Sequence, residues 1–199
     1  MATKLTKEQK EAFAQWKEHC REVQAMTAAS LSIVKESPVE KERRIKRLLS
    51  NYDEFCEYYF AHYLTLRDKT TGEVIRVIHN APFHTRAALT IKNMPNLKAV
   101  FKWPRGHAKS THIGVFIPLW LIFQPKRLIN FMVTVGKSED SANRLLGDLQ
   151  AELEYNQKLI ADFGEQKNLG LWLQGEFKTK GGAKFLAVGH FSTFQTAPS

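Results

Sequence analysis

The sequence has little cysteine and no apolar run long enough to cross a membrane. Cys20 and Cys56 are the only cysteines among 199 residues, too few for a disulfide framework in a chain of this length. We therefore expect both thiols to be reduced, as is usual inside cells. The longest apolar run, residues 113–123, is shorter than the about 20 residues that a transmembrane helix needs. The N-terminus also lacks the apolar core of a signal peptide, so the sequence predicts a soluble cytoplasmic protein.

Acidic side chains are scarce relative to basic ones. The chain has 29 Lys and Arg against 20 Asp and Glu, a formal net charge of +9, and a pI near 9.6. This surplus favours a polyanionic partner such as nucleic acid or a nucleotide; the alternative is a basic protein with no such partner. The hydrophobic content of 43% excludes a disordered chain and is sufficient for one domain with a core.

The N-terminal third, residues 1–66, is predicted to be helical and basic. Apolar residues recur at helical intervals over residues 4–36, and Ser37-Pro38 interrupts the pattern. A second helical stretch is predicted over residues 39–66. Its first half is strongly basic and its second half is aromatic. The basic half is either a solvated helix face or a face that binds DNA or a protein partner.

Residues 67–189 alternate between strand-like and helix-like patterns. The pattern favours an α/β fold in which helices cover both faces of a parallel sheet. We expect a helix that Ser138 caps and that runs to Glu154, with Ala142, Leu145, Leu146 and Leu149 facing the core. The other predicted elements are strands at 74–78, 97–103, 127–135 and 184–188, a turn at 69–72, a loop at 104–109, and a helix at 110–123 that Pro118 kinks or ends.

The loop between the second of these strands and the following helix is where we expect function. It reads Trp103-Pro104-Arg105-Gly106-His107-Ala108-Lys109-Ser110-Thr111. A strand that leads into a helix is the setting that a phosphate-binding loop requires, because backbone N–H groups and the helix dipole attract an anion there. Lys109 would then contact the β- and γ-phosphates of ATP, and the Ser110 hydroxyl would bind Mg²⁺.

The loop departs from the general pattern G-x-x-x-x-G-K-[ST] at both glycines. Trp103 stands at the first glycine and Ala108 at the second, so Gly106 alone has a glycine's conformational freedom. This second departure matters, because a position that approaches phosphate closely tolerates a Cβ only if its φ stays negative. The alternative interpretation is an ordinary strand-to-helix turn with an exposed Lys-Ser-Thr.

The stretch PRGHAKST resembles the variant phosphate loop of phage terminase large subunits, the ATPases that package viral DNA. Pro104, Arg105, Lys109 and Ser110 fall on the positions typical of that loop. Residues 80–84 are similar to the segment that precedes the loop in the family. Residues 131–164 are similar to the family's second strand and its helix, and the likeness extends over roughly residues 75–189.

The resemblance implies roles for particular residues. Lys109 and Arg105 are the expected catalytic residues, with Arg105 sensing or stabilising the γ-phosphate. Phe83 and His84 are expected to flank adenine, or else to form a core pair. Ser110 is the expected Mg²⁺ ligand. The remaining expected nucleotide contacts are Pro104, Gly106, His107, Ala108 and Thr111.

The sequence does not show every part that ATP hydrolysis needs. The carboxylates that hold Mg²⁺ and position water in this family follow a further apolar strand, and no such strand is recognisable. After Gly164 the only acidic residues are Glu165 and Glu176, and no nuclease-like segment follows. Residues 190–199 are predicted to be an irregular tail. We therefore expect the front portion of a packaging ATPase, with a sheet that is incomplete on its C-terminal side.

The resemblance also implies partners and alternatives. It implies double-stranded viral DNA, a terminase small subunit, a portal, a homo-oligomeric ring and the cytoplasm of a phage-infected bacterial cell. One alternative is another P-loop motor that acts on DNA. A second is a non-catalytic basic module that binds DNA or a protein partner and has a vestigial phosphate loop.

Overall fold

The computed structural model describes residues 7–29, 31, 36–68 and 70–189, and their fold is mixed α/β. The predicted tail at 190–199, residues 4–6, 30 and 32–35 of the first predicted helix, and Lys69 lie outside the described residues. The helices are α1 (Lys7–Ala29), α2 (Pro38–Ser50), α3 (Tyr52–Tyr59), α4 (Ala61–Leu64), α5 (Pro82–Asn93), α6 (Lys109–Thr111), α7 (Ile117–Ile122), α8 (Glu139–Tyr155) and α9 (Gln157–Phe163). The strands are β1 (Thr65–Arg67), β2 (Val74–Val77), β3 (Phe131–Gly136), β4 (Lys167–Leu173), β5 (Glu176–Thr179) and β6 (Lys184–Gly189).

The N-terminal helices form where the sequence predicts them, but the second stretch is divided. Ser37 caps α2 through a capping box with Glu40, which leaves residue 36 outside any helix. Asn51 ends α2 and caps α3, because its side chain accepts the N–H groups of Asp53 and Glu54. The helical stretch ends at Leu64, and residues 65–67 form β1, which pairs with β2 in an antiparallel hairpin. The predicted helical stretch over 39–66 is therefore divided into α2, α3 and α4, and its last two residues belong to a strand instead.

The main sheet is mixed rather than parallel. Its strand order is β3-β6-β5-β4, and β3 with β6 is its parallel pair. The pairs β4–β5 and β5–β6 are antiparallel, because the turns at 174–175 and 180–183 are too short for the crossover that parallel strands require. Gly175 and Gly182 have positive φ in these turns. The sequence analysis predicted β3 and β6 approximately and missed β4 and β5.

Helix α8 follows β3, as predicted, and packs against both strands of the parallel pair, β3 and β6. Ser138 caps it by accepting the N–H of Ser141. At Gly136 the packing is so close that a Cβ atom would lie 2.5 Å from the backbone nitrogen of Ala142. Ala142, Leu146 and Leu149 are buried as expected, whereas Leu145 is 37% exposed and the prediction for it was wrong.

Residues 97–103, predicted as a strand, have no regular secondary structure and pair with no strand among the described residues. An apolar sequence becomes a strand only where a neighbouring strand accepts its hydrogen bonds, and here none does. Val100 is 81% exposed. The prediction of helices on both sheet faces also fails at β3, which leaves Phe131, Val133 and Val135 largely exposed.

The helix after the loop is continuous from Lys109 to Ile122 but changes character within it. Residues His112–Phe116 form a π-helical segment between α6 and α7. Pro118 has no N–H to donate and its ring crowds the preceding turn. It lies in the first turn of α7, directly after the π-helical segment, and the helix continues to Ile122, so the helix does not end at Pro118. Trp120, on α7, is fully buried beside Tyr52.

Both cysteines are buried free thiols, which agrees with the expectation that no disulfide forms. Burial raises the pKa of each thiol to about 12. None of the helices in the described ranges combines the length and the apolar character that a membrane span requires.

Candidate phosphate-binding loop

The predicted loop is a tight surface turn that leads directly into the helical stretch at Lys109. The His107 N–H donates to the carbonyl of Pro104 at 3.4 Å, and Gly106 has φ +83°. Ala108 has φ +49° and ψ +29°, in the left-handed region. The negative φ that a residue with a Cβ would need close to phosphate is therefore not met: Ala108 adopts a conformation that glycine adopts without strain. Left-handed backbone costs a residue with a Cβ about 1–2 kcal/mol.

The left-handed Ala108 leaves several N–H groups without intramolecular partners. Ala108 is the N-cap residue, and its carbonyl accepts the N–H of His112 at 2.9 Å. Within the described residues, the N–H groups of Ala108, Lys109, Ser110 and Thr111 have no hydrogen-bond acceptor. The side chains of Lys109 and Ser110 lie at the exposed first turn of the helix. This part of the molecule therefore presents N–H donors, an ammonium and a hydroxyl on one stretch of surface.

His84, at the start of α5, lies directly beneath the loop. Its Nδ1 accepts the N–H of Ala81 at 3.0 Å, and its Nε2 lies 3.1 Å from the carbonyl oxygen of His107. Its ring stacks on His112 at 3.8 Å between centroids and 17° between planes. The Tyr52 hydroxyl, on α3, lies 2.7 Å from Nδ1 of His112. Three elements thus meet in one buried polar stack under the phosphate-loop candidate.

Burial keeps both imidazoles of this stack neutral at neutral pH. It lowers the pKa of His84 below its ordinary value of 6.5, against the hydrogen bond to His107 that raises it. Burial, with the neighbouring His84, lowers the pKa of His112 to about 3. A neutral His112 can accept at Nδ1, so the Tyr52 hydroxyl donates to it. The stack is therefore held by hydrogen bonds and ring contact rather than by charge.

The segment expected to flank adenine is packed into the protein. Phe83 is half-buried and meets the ring of Trp103 edge-on at 5.2 Å. His84 is 7% exposed and uses both ring nitrogens within the chain. A cavity of about 640 Å³ adjoins the opposite side of α5; among its lining residues are Asp53, Asn80, Pro82, Thr85 and Arg86. The adenine contacts of Phe83 and His84 stay predictions.

Most of the basic charge on α2 is used inside the chain. Lys41 and Arg44 pair with Asp162, and Arg47 pairs with Glu54. Arg44 also pairs with Glu36. These contacts favour the structural interpretation of the basic half of the stretch over the DNA-binding one, although Arg43 and Lys46 remain exposed.

The segment that contains the loop carries the charge surplus, a feature that the sequence analysis missed. Residues 74–138 include ten Lys and Arg and no Asp or Glu, whereas the other residues carry 19 basic and 20 acidic side chains. Counting charge in windows along the sequence would have found this asymmetry. Within the segment, Lys98, Lys102, Arg105 and Lys109 are all exposed. The net charge of +9 is therefore a property of the loop region rather than of the whole surface.

Among the described residues, no carboxylate contacts the loop. No Asp or Glu within them forms a hydrogen bond or ion pair with residues 104–111, and they contain no group of three His, Cys, Asp or Glu suited to a metal ion. Cavities of about 690 and 440 Å³ lie beside α1 and are lined by other residues. The described contacts of residues 104–111 therefore include no carboxylate.

No protein-family model, curated protein or solved structure matches the chain.

Proposed function

We propose that residues 104–111 bind the phosphates of Mg·ATP, and that the chain is the nucleotide-binding part of a DNA-packaging motor of the terminase large subunit type. The observation that supports this most is the left-handed Ala108 at the head of the 109–122 helical stretch. It leaves consecutive N–H donors next to the Lys109 ammonium and the Ser110 hydroxyl. Backbone outliers of this kind persist where the surroundings enforce them, and they cluster at ligand-binding sites.

Each proposed contact follows from the chemistry of a triphosphate. The unpartnered N–H groups bind phosphate oxygens, as in other helix-start anion sites. Lys109 neutralises charge between the β- and γ-phosphates, and Arg105, exposed at the turn, reaches the γ-phosphate with its planar fork. Mg²⁺ arrives with the nucleotide, and Ser110 is its one protein ligand; Mg²⁺ commonly keeps several waters and takes few protein ligands.

The loop and the described residues that contact it supply groups for nucleotide binding but no carboxylate for hydrolysis. Hydrolysis requires a group that orients the attacking water and an acidic residue behind the metal. Since no described Asp or Glu forms a hydrogen bond or ion pair with residues 104–111, we propose that this chain binds nucleotide weakly and by itself hydrolyses little or none. Steady hydrolysis that depends on Lys109 would contradict this part of the proposal.

Nucleotide binding is testable by thermal stability with and without Mg·ATP. A ligand present at 100 times its Kd stabilises the native state by about 2.7 kcal/mol, a rise of roughly 5–10 °C in Tm for a chain of this size. We expect this rise for the natural protein and for Lys126→Ala, which removes an exposed lysine outside the loop. We expect no rise for Lys109→Ala. Equal shifts in the two variants, or none in the natural protein, would contradict the proposal.

The charge distribution favours a second function, the binding of DNA by the exposed basic residues of segment 74–138. A protein that neutralises phosphates loses affinity as salt displaces it, with a slope set by the number of contacts. We expect binding of duplex DNA to weaken linearly in log K against log salt. The double variant Lys98→Glu/Lys102→Glu should make that slope shallower by about two. The control Lys10→Glu/Lys46→Glu, which reverses charges outside the segment, should leave the salt slope unchanged. Similar slopes in both double variants would contradict DNA binding by segment 74–138.

A further inference from the structure

The peptide bond between His107 and Ala108 is the most constrained part of the loop. Ala108 is the one residue other than glycine with a positive φ among the described residues. A Cβ disfavours this conformation, so the turn residues alone do not account for it. Its persistence requires a contact from outside the turn.

His84 supplies that contact, and its tautomer is determined by its neighbours. The backbone N–H of Ala81 can only donate, so Nδ1 of His84, 3.0 Å away, accepts. The ring is neutral, so its one proton is on Nε2. Nε2–H then donates to the carbonyl oxygen of His107 at 3.1 Å. The hydrogen bond from α5 to the loop therefore has a defined direction.

The imidazole has little freedom to turn away from this carbonyl. His84 and His112 are 7% and 2% exposed and lie parallel at 3.8 Å. Trp103 packs at 5.1 Å from the His84 ring. The hydroxyl of Tyr52 holds His112 from the other side at 2.7 Å. Residues from α3, α5 and the π-helical segment thus fix the donor before any ligand arrives.

The direction of the carbonyl decides the direction of the next N–H. In a trans peptide the C=O and the N–H point to opposite sides of the chain. With the His107 carbonyl held inward by His84, the Ala108 N–H points outward. A flip of this peptide would present a carbonyl oxygen to an anion instead of a donor, and repel it.

We propose that His84 is a positioning residue that holds the 107–108 peptide so that the Ala108 N–H faces the bound phosphate; this role rests on the proposed function of the loop. His84 itself touches no nucleotide. It differs in this from the adenine-flanking role that the sequence predicts.

Two substitutions separate the two hydrogen bonds of His84. In His84→Gln the side-chain amide reaches about as far as Nε2 and still donates to the His107 carbonyl. In His84→Asn the side-chain oxygen can accept the Ala81 N–H, but the shorter amide does not reach the loop. We expect His84→Asn to bind Mg·ATP on the order of tenfold more weakly, as for one lost hydrogen bond to a charged group. His84→Gln should stay within about threefold of the natural protein, as should the control His79→Asn, at an exposed histidine paired with Glu57.

Nuclear magnetic resonance of the nucleotide-free protein tests the hydrogen bond from His84 to the His107 carbonyl without relying on nucleotide binding. We expect ¹⁵N shifts of His84 typical of the Nε2–H tautomer, and left-handed backbone shifts at Ala108 in the natural protein and in His84→Gln. His84→Asn should keep the shifts of the core and lose those of Ala108. Left-handed Ala108 shifts in His84→Asn, or an Nδ1–H tautomer, would overturn the inference. Failure of the natural protein to bind Mg·ATP would instead overturn the proposed function, while the Ala108 shifts still decide whether His84 holds the peptide.

Discussion

Replacing Trp120 with alanine is expected to lower the free energy of unfolding by about 3–5 kcal/mol, the range for removing a large buried aromatic side chain. The indole is fully buried, and its Nε1–H donates to the carbonyl of Leu49 at 3.1 Å. Lys92 lies over the ring at 4.3 Å. Trp120 therefore connects α7 to both α2 and α5. Because α7 continues the helical stretch that begins at Lys109, the loop should lose order along with the core.

Urea unfolding followed by circular dichroism measures this effect. Trp120→Phe keeps most of the apolar contact but loses the donor to Leu49, so we expect a smaller loss than for alanine. Leu169→Ala truncates a side chain that is 92% exposed and should change the stability by less than about 0.5 kcal/mol. A similar loss in Leu169→Ala and Trp120→Ala would show that the core does not depend on Trp120.

Replacing Asp162 with alanine should lower the free energy of unfolding by a comparable amount, about 3–5 kcal/mol. The substitution leaves the guanidinium of Arg44 without its main partner. The Asp162 carboxylate is 4% exposed and accepts two hydrogen bonds from Arg44, at 2.6 and 3.0 Å. It also accepts the Tyr59 hydroxyl at 2.7 Å. This cluster joins α9 to α2 and α3 across more than 100 residues of sequence.

Two controls test whether the loss comes from an uncompensated charge. Glu165→Gln removes an exposed carboxylate that pairs with Lys180, and should cost less than about 1 kcal/mol. Arg44→Met/Asp162→Leu replaces both charges with apolar groups and should recover part of the stability that Asp162→Ala loses. Arg44 keeps its pair with Glu36 in Asp162→Ala. If the double variant were less stable than the single one, the charge of Arg44 left without Asp162 would not explain the loss.

The lowered pKa of the Asp162 carboxylate leads to a prediction of how stability depends on pH. Burial raises the pKa of Asp162, but hydrogen bonds from Arg44 and Tyr59 outweigh it, so the folded-state pKa is below the ordinary value. A lowered pKa means that the stabilisation is present above the unfolded-state pKa of about 3.9 and is lost as pH falls through the folded-state pKa. The difference in stability between the natural protein and Asp162→Ala should therefore be constant near neutral pH and shrink below about pH 3.9.

Local patterns predicted those parts of the fold that depend on neighbouring residues. Ser138 caps α8 because its hydroxyl accepts an N–H three residues later, and such a contact is readable from the sequence. The helical stretch begins at Lys109, one residue before the predicted start, and β6 begins at the predicted Lys184. The turn with Gly106 and the exposed Lys109 and Ser110 also follow from local composition.

Pairing between distant segments could not be predicted in the same way. Residues 97–103 have an apolar strand pattern, yet they find no partner strand among the described residues. The less regular sequence of β4 and β5 forms a hairpin because short turns bring the two strands together. Strand formation depends on what lies alongside, so the sequence of one segment does not decide it.

The sequence by itself determined the α/β alternation, the start of α2 after Ser37, the ends of α8 to within a residue, and the position of a tight turn before a helix with Lys109 and Ser110 at its start. The tertiary structure alone decided that Ala108 is left-handed, that His84 contacts the loop at the carbonyl of His107, and that Arg44 is bound to Asp162. The physical reason is the separation in sequence between the residues that interact. Caps and turns are hydrogen bonds between residues a few positions apart, whereas the loop's support comes from α3, α5 and the π-helical segment, which meet only when the core packs.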